Sequence, residues 1–355
     1  MNDSHMNVIN NHVVHSLDPF WCSNTPTTVI EKITNKCLSV TQPNSYVIGY
    51  LVWEAVDYSM WESHIKHFHR ILSKHSRKFV LVLNTVFKTD NISHYPFDVV
   101  FLDYFLLRTY YEYKVNNHSY NKKWNNGNKF LFLTGKPYRE NRIRLLYKLQ
   151  QAGLLTDCKW SLFVTDDNTQ RCRELLPELS DNEFSTFIDK FNRDIDVHLT
   201  DNHYGGHPYS VGLFSETSFR LISETAYGDS NLLSPWVTEK TWMTILNNQP
   251  FIMAGNVGTL NYLSKKGFRT FERYMKCPEY DLIEDGDSKL NTIVKNTEHF
   301  LHIADAESVA DDVEHNHKHF MKLVDVNLDV IRKLLQTLDS EHHDPFDVIP
   351  LYDPS

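Results

Sequence analysis

The chain has 355 residues, of which 41% are hydrophobic, 13% aromatic and 23% charged, with only 12 Gly and 13 Pro. This composition excludes disordered and fibrous proteins and predicts a folded chain. A domain averages about 150 residues, so the length predicts two halves with cores of their own and some additional helix. The 36 Lys and Arg against 45 Asp and Glu give a net charge of −9, which argues against a broad nucleic-acid-binding surface.

The five cysteines predict neither a disulfide framework nor a zinc site, because they are odd in number and never form a C-x-x-C pair. A reducing compartment fits this pattern best. No run approaches the roughly 18 consecutive apolar residues of a membrane span, and the N-terminus lacks a basic segment followed by an apolar one. We therefore expect a soluble, cytoplasmic protein without a membrane span.

The N-terminal half predicts a parallel α/β sheet. The first forty or so residues are rich in Asn, Ser and Thr with weak periodicity, and they predict an irregular arm. Three apolar runs follow, namely YVIGYLVWE from 46, FVLVLNTVF at 79–87 and FDVVFLDYFLL from 97. The segment at 61–78, between the first two runs, has helical spacing, and buried strands joined by helices are typical of parallel sheets.

The polar stretch at 116–128 contains six Asn and predicts a linker, beyond which the alternation restarts. KFLFLTG at 129–135 predicts a strand, ENRIRLLYKLQQAG a helix that ends at Gly153, and KWSLFVT the next strand. After an acidic, Phe-containing segment at 175–196, the predicted elements are strand FRLISET, helix TEKTWMTILNN and strand PFIMAG. From about 291 the chain is predicted to be helical, with its strongest amphipathic run at 318–338 and an irregular tail.

These patterns predict an N-terminal Rossmann-like domain at 1–125, which includes the arm, and a second one at 126–290. The helices at 291–355 are expected to pack across both domains.

Four cations lie within nine positions after the predicted strand at 129–135, namely Lys136, Arg139, Arg142 and Arg144. Ligands of α/β sheets bind at the carboxyl ends of strands, and guanidinium groups bind phosphate oxygens bidentately. The start of the next helix adds amide donors and the positive end of its dipole. The pattern favours an anion such as a diphosphate; the alternative is a solvated helix face beside a buried leucine stripe.

A second cluster surrounds the predicted helix TEKTWMTILNN. Thr238 is predicted to cap this helix, and Lys240 in its first turn is unfavourable against the dipole, which suggests that it faces an anion. Glu224 follows a strand, where a carboxylate accepts hydrogen bonds from a ribose or sugar hydroxyl pair. The alternatives for Glu239 and Trp236 are a helix-capping acid and a packing residue.

The order R-x6-L, S-E-T and W-V-T-E-K within about 129–271 resembles the α-1,3-fucosyltransferase family, which has the GT-B architecture of two Rossmann-like domains facing a cleft. Arg142 with Leu149 matches the family's R-x6-L arrangement, 223–225 its Phe-Glu-Asn strand end, and 236–240 its Tyr-x-Thr-Glu-Lys helix start. The stretch 250–271 is also similar to phage and marine viral proteins described as glycosyltransferases, which favours a viral origin and then the host cytoplasm.

The resemblance implies an inverting transfer of a sugar from a nucleotide-diphosphate sugar, with a GDP-sugar favoured, to a hydroxyl of a glycan or another acceptor. No cofactor or metal is implied. Arg142 and Lys240 would neutralise the diphosphate, Glu224 and Glu239 would hold hydroxyls, and Trp236 would cover the nucleotide. The expected donor-binding residues are Lys136, Arg139, Arg142, Glu224, Trp236, Thr238, Glu239 and Lys240.

Such a transfer needs a base that removes the acceptor proton while cations stabilise the leaving diphosphate. We expect this base at a strand end of the N-terminal half. Glu54 is the first candidate, and Asp57 and Asp103 are the alternatives; each could instead be a surface or capping carboxylate.

Three patterns that suggest metal binding are interpreted structurally. Asp166 and Asp167 precede an Asn after a strand, which favours a turn. The histidines at 315, 317 and 319 alternate within a helix and face different ways. His203 and His207 have no carboxylate or thiolate at ligand spacing.

Two other functions stay open. A phage DNA glycosyltransferase acting on a hydroxymethylated base predicts a basic rim, which the negative net charge disfavours. The candidates for that rim are Lys122, Lys123, Lys265, Lys266 and Arg269. A non-catalytic nucleotide-sugar or glycan-binding module would keep the phosphate-binding cations but would have no working base.

Overall fold

The computed structural model describes residues 6–9, 12–17, 27–51, 62–84, 95–115, 129–193, 211–225, 227, 235–303 and 307–337. These residues form a mixed α/β protein with two sheets. Contacts between Cα atoms divide them into two compact units: unit 1 holds the described residues up to Tyr111 and from Lys322 onward, and unit 2 holds those from Glu112 to Met321. The predicted boundary at 125 lies outside the described residues. The predicted helical segment from 291 onward contributes to both units.

Unit 1 is built on a five-stranded sheet whose strands lie in chain order. They are β1 (Met6–Ile9), β2 (His12–Ser16), β3 (Tyr46–Leu51), β4 (Lys78–Asn84) and β5 (Asp98–Leu102). β1 is antiparallel to β2, and the remaining neighbours are parallel. Its helices are α1 (Thr27–Val40), α2 (Glu62–Lys74) and the first part of α3 (Tyr104–Val115).

The apolar spacing of α2 places it against the sheet. Ile65, Phe68 and Leu72 are three and four residues apart, so they share one face of the helix. All three are buried in one cluster with Phe79 and Leu81 of β4. Burying a side chain of this size stabilises the fold by roughly 1.5–3 kcal/mol.

The prediction of an irregular arm is wrong for the described part of the first forty residues. β2 joins the sheet beside β3, and Val13 and Val14 are buried. The helix α1 follows, with Ile30, Ile33 and Cys37 on its buried face. A five-residue strand flanked by polar residues gives too weak a pattern to predict, because its position is decided by pairing with a distant strand.

The predicted strand from 97 is shorter than its apolar run. β5 ends at Leu102, and α3 begins at Tyr104. A continuous apolar run is compatible with a buried strand or a buried helix, so periodicity cannot find the point of change.

Unit 2 is built on a four-stranded parallel sheet in the order β7, β6, β8, β9. The strands are β6 (Phe130–Phe132), β7 (Cys158–Trp160), β8 (Phe219–Ser223) and β9 (Phe251–Ala254). The helices are α4 (Glu140–Gln151), α5 (Asp166–Glu174), α6 (Asp181–Phe191), α7 (Val211–Ser215), α8 (Glu239–Leu246), α9 (Thr259–Lys265), α10 (Gly286–Leu301) and α11 (Glu307–Thr337). The last helix continues into unit 1 from Lys322.

The strand order of unit 2 reverses between β6 and β8. The chain passes from β6 through α4 to β7, and it later returns to the other side of β6 with β8. In open parallel sheets, the crevice outside the carboxyl ends of the strands at such a reversal is where ligands bind. A ligand-binding site is therefore expected at the loops that follow β6 and β8.

The end of α4 and the start of α5 test two local predictions in unit 2. Gly153 follows the end of α4 with a left-handed φ of 75°, as predicted. The turn predicted at Asp166 and Asp167 is wrong, because these residues begin α5. Thr165 is the N-cap residue of α5: its backbone N–H donates to the side-chain oxygen of Asn168 at 3.1 Å, and the Asn168 amide donates to its hydroxyl at 3.0 Å. Acids in a first turn are favourable against the dipole. Among the described helices, none is both long and apolar enough to cross a bilayer.

Candidate functional site

Hydrogen bonds fix the first turn of α4 to the carboxyl ends of two strands. The side-chain amide of Asn141 donates to the carbonyl oxygens of Glu224, at 2.8 Å, and Ala254, at 3.3 Å. The hydroxyl of Ser223 donates to the carbonyl of Asn141 at 3.2 Å. Because Asn141 is itself buried, these bonds hold the start of α4 over the ends of β8 and β9.

Arg142 is a buried cation with few partners. It is 3% exposed, its Nη1 donates to the carbonyl oxygen of Lys136 at 3.2 Å, and its Nε has no hydrogen-bond partner among the described residues. It forms no ion pair with a carboxylate of the described residues. Burial and then neighbouring Arg139 lower the pKa of Arg142 to about 10, and the charges of Glu239 and Glu224 act in the opposite direction. The guanidinium is thus charged at pH 7, and an anion would compensate it.

The loop between β6 and α4 leaves open space beside cations. Arg139 is the residue before α4, and its guanidinium donates to the carbonyl of Thr225. Lys136 is exposed. Gly135 lies in this loop, three residues after the end of β6, and a Cβ atom added there would meet no described heavy atom within 4 Å beyond its two chain neighbours.

Glu224 holds the start of α8. Its carboxylate is fully buried and accepts hydrogen bonds from the backbone N–H and hydroxyl of Thr238, at 3.1 and 2.6 Å, and from the hydroxyl of Thr241 at 2.5 Å. The backbone N–H of Thr225 adds a fourth bond at 3.3 Å. Thr238 is the N-cap residue of α8 as predicted, but its hydroxyl donates to Glu224 instead of accepting from the helix. With four donors around it, this carboxylate orients α8, and its predicted contact with sugar hydroxyls stays a prediction.

Lys240 connects the two sequence clusters. Its Nζ donates to the carboxylate of Glu239 at 2.6 Å and to the hydroxyls of Thr238, at 3.0 Å, and Thr225, at 3.4 Å. Its side chain is 21% exposed. Since Arg139 also contacts Thr225, the end of β8 is approached by a cation from each helix start. We call Lys136, Arg139, Arg142 and Lys240 the cation cluster.

Trp236 and the candidate base Asp103 are both buried residues. Trp236 is 3% exposed, so its ring offers little surface to a nucleotide in this state. Asp103 lies between β5 and α3 in unit 1, is 6% exposed, and donates through its backbone N–H to Asn327 at 2.8 Å. Glu54 and Asp57 lie outside the described residues.

Asn141 and Thr241 are site residues that the sequence reasoning missed. Both are polar residues in the first turn of a helix whose other buried residues are mostly apolar, which is the signal that could have found them. A buried polar side chain needs a partner, so such a position indicates contact with a strand end or a ligand.

The described residues contain no group of three or more His, Cys, Asp or Glu side chains placed to hold a metal ion. His315 and His319 lie against carbonyl oxygens of Gly267 and Lys266, at 2.9 and 2.6 Å. His317 contacts backbone carbonyls at the end of α8, and burial lowers its pKa. These histidines therefore contact the ends of two helices.

The predicted basic rim is described in part. Arg269 is paired with the buried carboxylate of Asp312, and Lys266 lies over the ring of Tyr262 at 5.2 Å. Lys265 is exposed. Lys122, Lys123, His203 and His207 lie outside the described residues.

Comparison with models of protein families, with curated proteins and with solved structures finds no match for this chain. The fold and the site define a two-sheet α/β protein with a cation cluster at a strand-order reversal. Its function has to be inferred from those residues.

Proposed function

We propose that this protein is an inverting glycosyltransferase of GT-B architecture that takes its sugar from a nucleotide-diphosphate donor. The observation that carries the proposal is Arg142, a buried guanidinium at the carboxyl edge where the strand order of unit 2 reverses, which forms no ion pair within the described part of the chain. A buried charge whose pKa is strongly shifted by burial and by neighbouring charges is typical of a functional site. The family resemblance of the surrounding motifs supports the same assignment.

The donor diphosphate is assigned to the open space at Gly135, next to the cation cluster and the first turn of α4. Positive groups there stabilise the negative charge that grows on the diphosphate as the bond to the sugar breaks. Because α4 and α8 are hydrogen-bonded to strand ends, these cations are already in position before the reaction, and little reorganisation is needed.

The proposed transfer is a single displacement at the anomeric carbon of the donor sugar. The acceptor oxygen forms a bond to the anomeric carbon, the bond from that carbon to the phosphate oxygen breaks, and its electron pair leaves with the nucleotide diphosphate. A carboxylate takes the acceptor proton. Glu54 is the first candidate for this base, with Asp57 and Asp103 as alternatives, and Glu224 acts by positioning α8.

Calorimetric titration with GDP and UDP tests the donor site. Arg142→Met removes the unpaired guanidinium, and Arg144→Met is the matched control, because Arg144 lies on the same helix but is paired with Asp287 at 2.6 Å. We expect one nucleotide to bind and Arg142→Met to weaken it by about tenfold or more, since a hydrogen bond to a charged group contributes roughly 1.5–3 kcal/mol. The control should bind normally. If neither nucleotide binds the wild type, the proposal fails.

Measurements of sugar transfer and DNA binding then distinguish a glycosyltransferase from a binding module and from a DNA-modifying enzyme. A glycosyltransferase should lose turnover in Glu54→Gln while nucleotide binding is kept. Nucleotide binding without transfer from any of a panel of nucleotide sugars would favour the binding module. Retention of hydroxymethylated DNA at low salt would favour the DNA-modifying enzyme.

A further inference from the structure

A groove of about 540 Å3 lies beside α2 in unit 1. The residues that line this groove, called the α2 groove below, are Lys66, His69, Arg70, Ser73, Lys74 and Pro96. None of them is acidic, and none belongs to the cation cluster. Its volume is in the range of small-ligand sites.

Three exposed cations form a row along the α2 groove. Lys66, Arg70 and Lys74 are four residues apart on one helix face, so each step is about 6 Å and the row spans about 12 Å. Lys66 is paired with Glu62 at 2.6 Å, the one acidic residue of α2. Arg70 and Lys74 form no ion pair with any described residue. The acid Glu62 thus offsets one charge at the start of this face, and the two cations that follow are not offset by an acid of α2.

Aromatic contacts fix the opposite wall. The hydroxyl of Tyr95 donates to Glu62 at 3.0 Å, and its ring stacks on Phe97 with centroids 5.1 Å apart. The Phe97 ring also contacts the ring of His69 at 5.0 Å. Pro96, which lines the α2 groove, lies between these two anchored residues in the chain.

Two neutral polar side chains also line the α2 groove. His69 and Ser73 are hydrogen-bonded to each other at 3.0 Å, and burial lowers the pKa of His69, which keeps it neutral at pH 7. A phosphate group has more acceptor oxygens than a carboxylate and can accept from guanidinium, ammonium and hydroxyl donors together. One small anion would reach a single step of the row, whereas successive phosphate groups can reach all three steps.

We propose that the α2 groove binds a chain of phosphate groups, supplied by a free polyphosphate or by the backbone of a single nucleic-acid strand. This site is additional to the proposed donor site and does not depend on it. The strongly negative net charge of the protein restricts such binding to this local row of cations.

The 355-residue chain, a fluorescent oligothymidylate of about ten nucleotides and inorganic tripolyphosphate test the proposal. Fluorescence anisotropy measures binding of the strand, and calorimetry measures binding of tripolyphosphate. Arg70→Gln/Lys74→Gln removes two charges from the α2 groove, and Lys276→Gln/Lys295→Gln removes two exposed charges from unit 2 as the matched control. All four positions are exposed, so thermal unfolding should confirm that both variants fold. Because tripolyphosphate can also enter the donor site, its titration is repeated with Arg142→Met.

We expect the groove variant to bind at least about tenfold more weakly than the wild type at low salt, whereas the control binds normally. For the strand, the dependence of log K on log salt should become shallower by about 1.4, or about 0.7 for each lost phosphate contact. Arg142→Met should retain strand binding, which separates this proposal from the donor site.

If only tripolyphosphate binds, the ligand of the α2 groove is a free polyphosphate. If both probes bind, the α2 groove also accepts a nucleic-acid strand. Equal affinity of the groove variant and the wild type for both probes would overturn the proposal. Equally tight binding of a carboxylated oligosaccharide of the same charge would also overturn it, because phosphate would then not be selected.

Discussion

Replacing Arg142 by Met should make the protein more stable and bind nucleotide less well. The methionine occupies the volume of the arginine stem and removes a charge that has one carbonyl contact and an unpartnered Nε. Opposite effects on stability and binding are the signature of a residue kept for its ligand.

The lowered pKa of Arg142 gives the size of the expected gain in stability. Lowering of the pKa of Arg142 from its ordinary value to about 10 corresponds to a charged form that is roughly 3 kcal/mol less favourable than in water. The methionine also loses the hydrogen bond to the carbonyl oxygen of Lys136, which offsets part of that gain. We therefore expect the free energy of unfolding to rise by about 1–2 kcal/mol, within the range seen when buried charges are replaced by apolar residues.

Urea unfolding with and without nucleotide measures both effects. A nucleotide at 100 times its dissociation constant should stabilise the wild type by about 2.7 kcal/mol and the variant by much less. Arg144→Met should show the full nucleotide effect. If Arg142→Met instead lost more than about 1 kcal/mol of stability and kept the nucleotide effect, Arg142 would be a structural residue and the reasoning would be refuted.

Three other changes have defined outcomes. Glu224→Gln should destabilise the fold by about 2–4 kcal/mol in urea unfolding, because an amide cannot accept all four hydrogen bonds; a loss below about 0.5 kcal/mol would show that they contribute little. Gly135→Phe should leave the melting temperature nearly unchanged but weaken nucleotide binding about tenfold or more, whereas Gly135→Ala should bind normally; normal binding by the Phe variant would move the ligand elsewhere. Burial lowers the pKa of His317, so as pH falls below about 6.5 the unfolded chain takes up the proton first and stability is lost. His317→Gln should therefore show a shallower loss of stability from pH 7 to 5, and an identical slope would contradict this.

Buried strands and amphipathic helices could be predicted where each element carries its own signal. The apolar runs that became β4, β8 and β9 are buried throughout their length, apart from the first residue of β4. The helices α2 and α4 follow the spacing of their apolar residues. The strand β2 and the helix α6 were not predicted, although α6 has a capping pair, Ser180 and Glu183, and three buried phenylalanines. Acidic composition hid the phenylalanine spacing of α6, and β2 depends on its pairing with β3.

The amino-acid sequence by itself determined which chemical groups are available at the site. It placed Arg142 after one strand and Lys240 at the start of another helix, and both residue types favour an anion. Tertiary structure decided how these groups are used. Glu224 became a buried anchor for α8, and Thr225 became the point that Arg139 and Lys240 both contact. The physical reason is that local propensity depends on neighbours along the chain, whereas burial and hydrogen bonding of these side chains depend on strands and helices that meet only after folding.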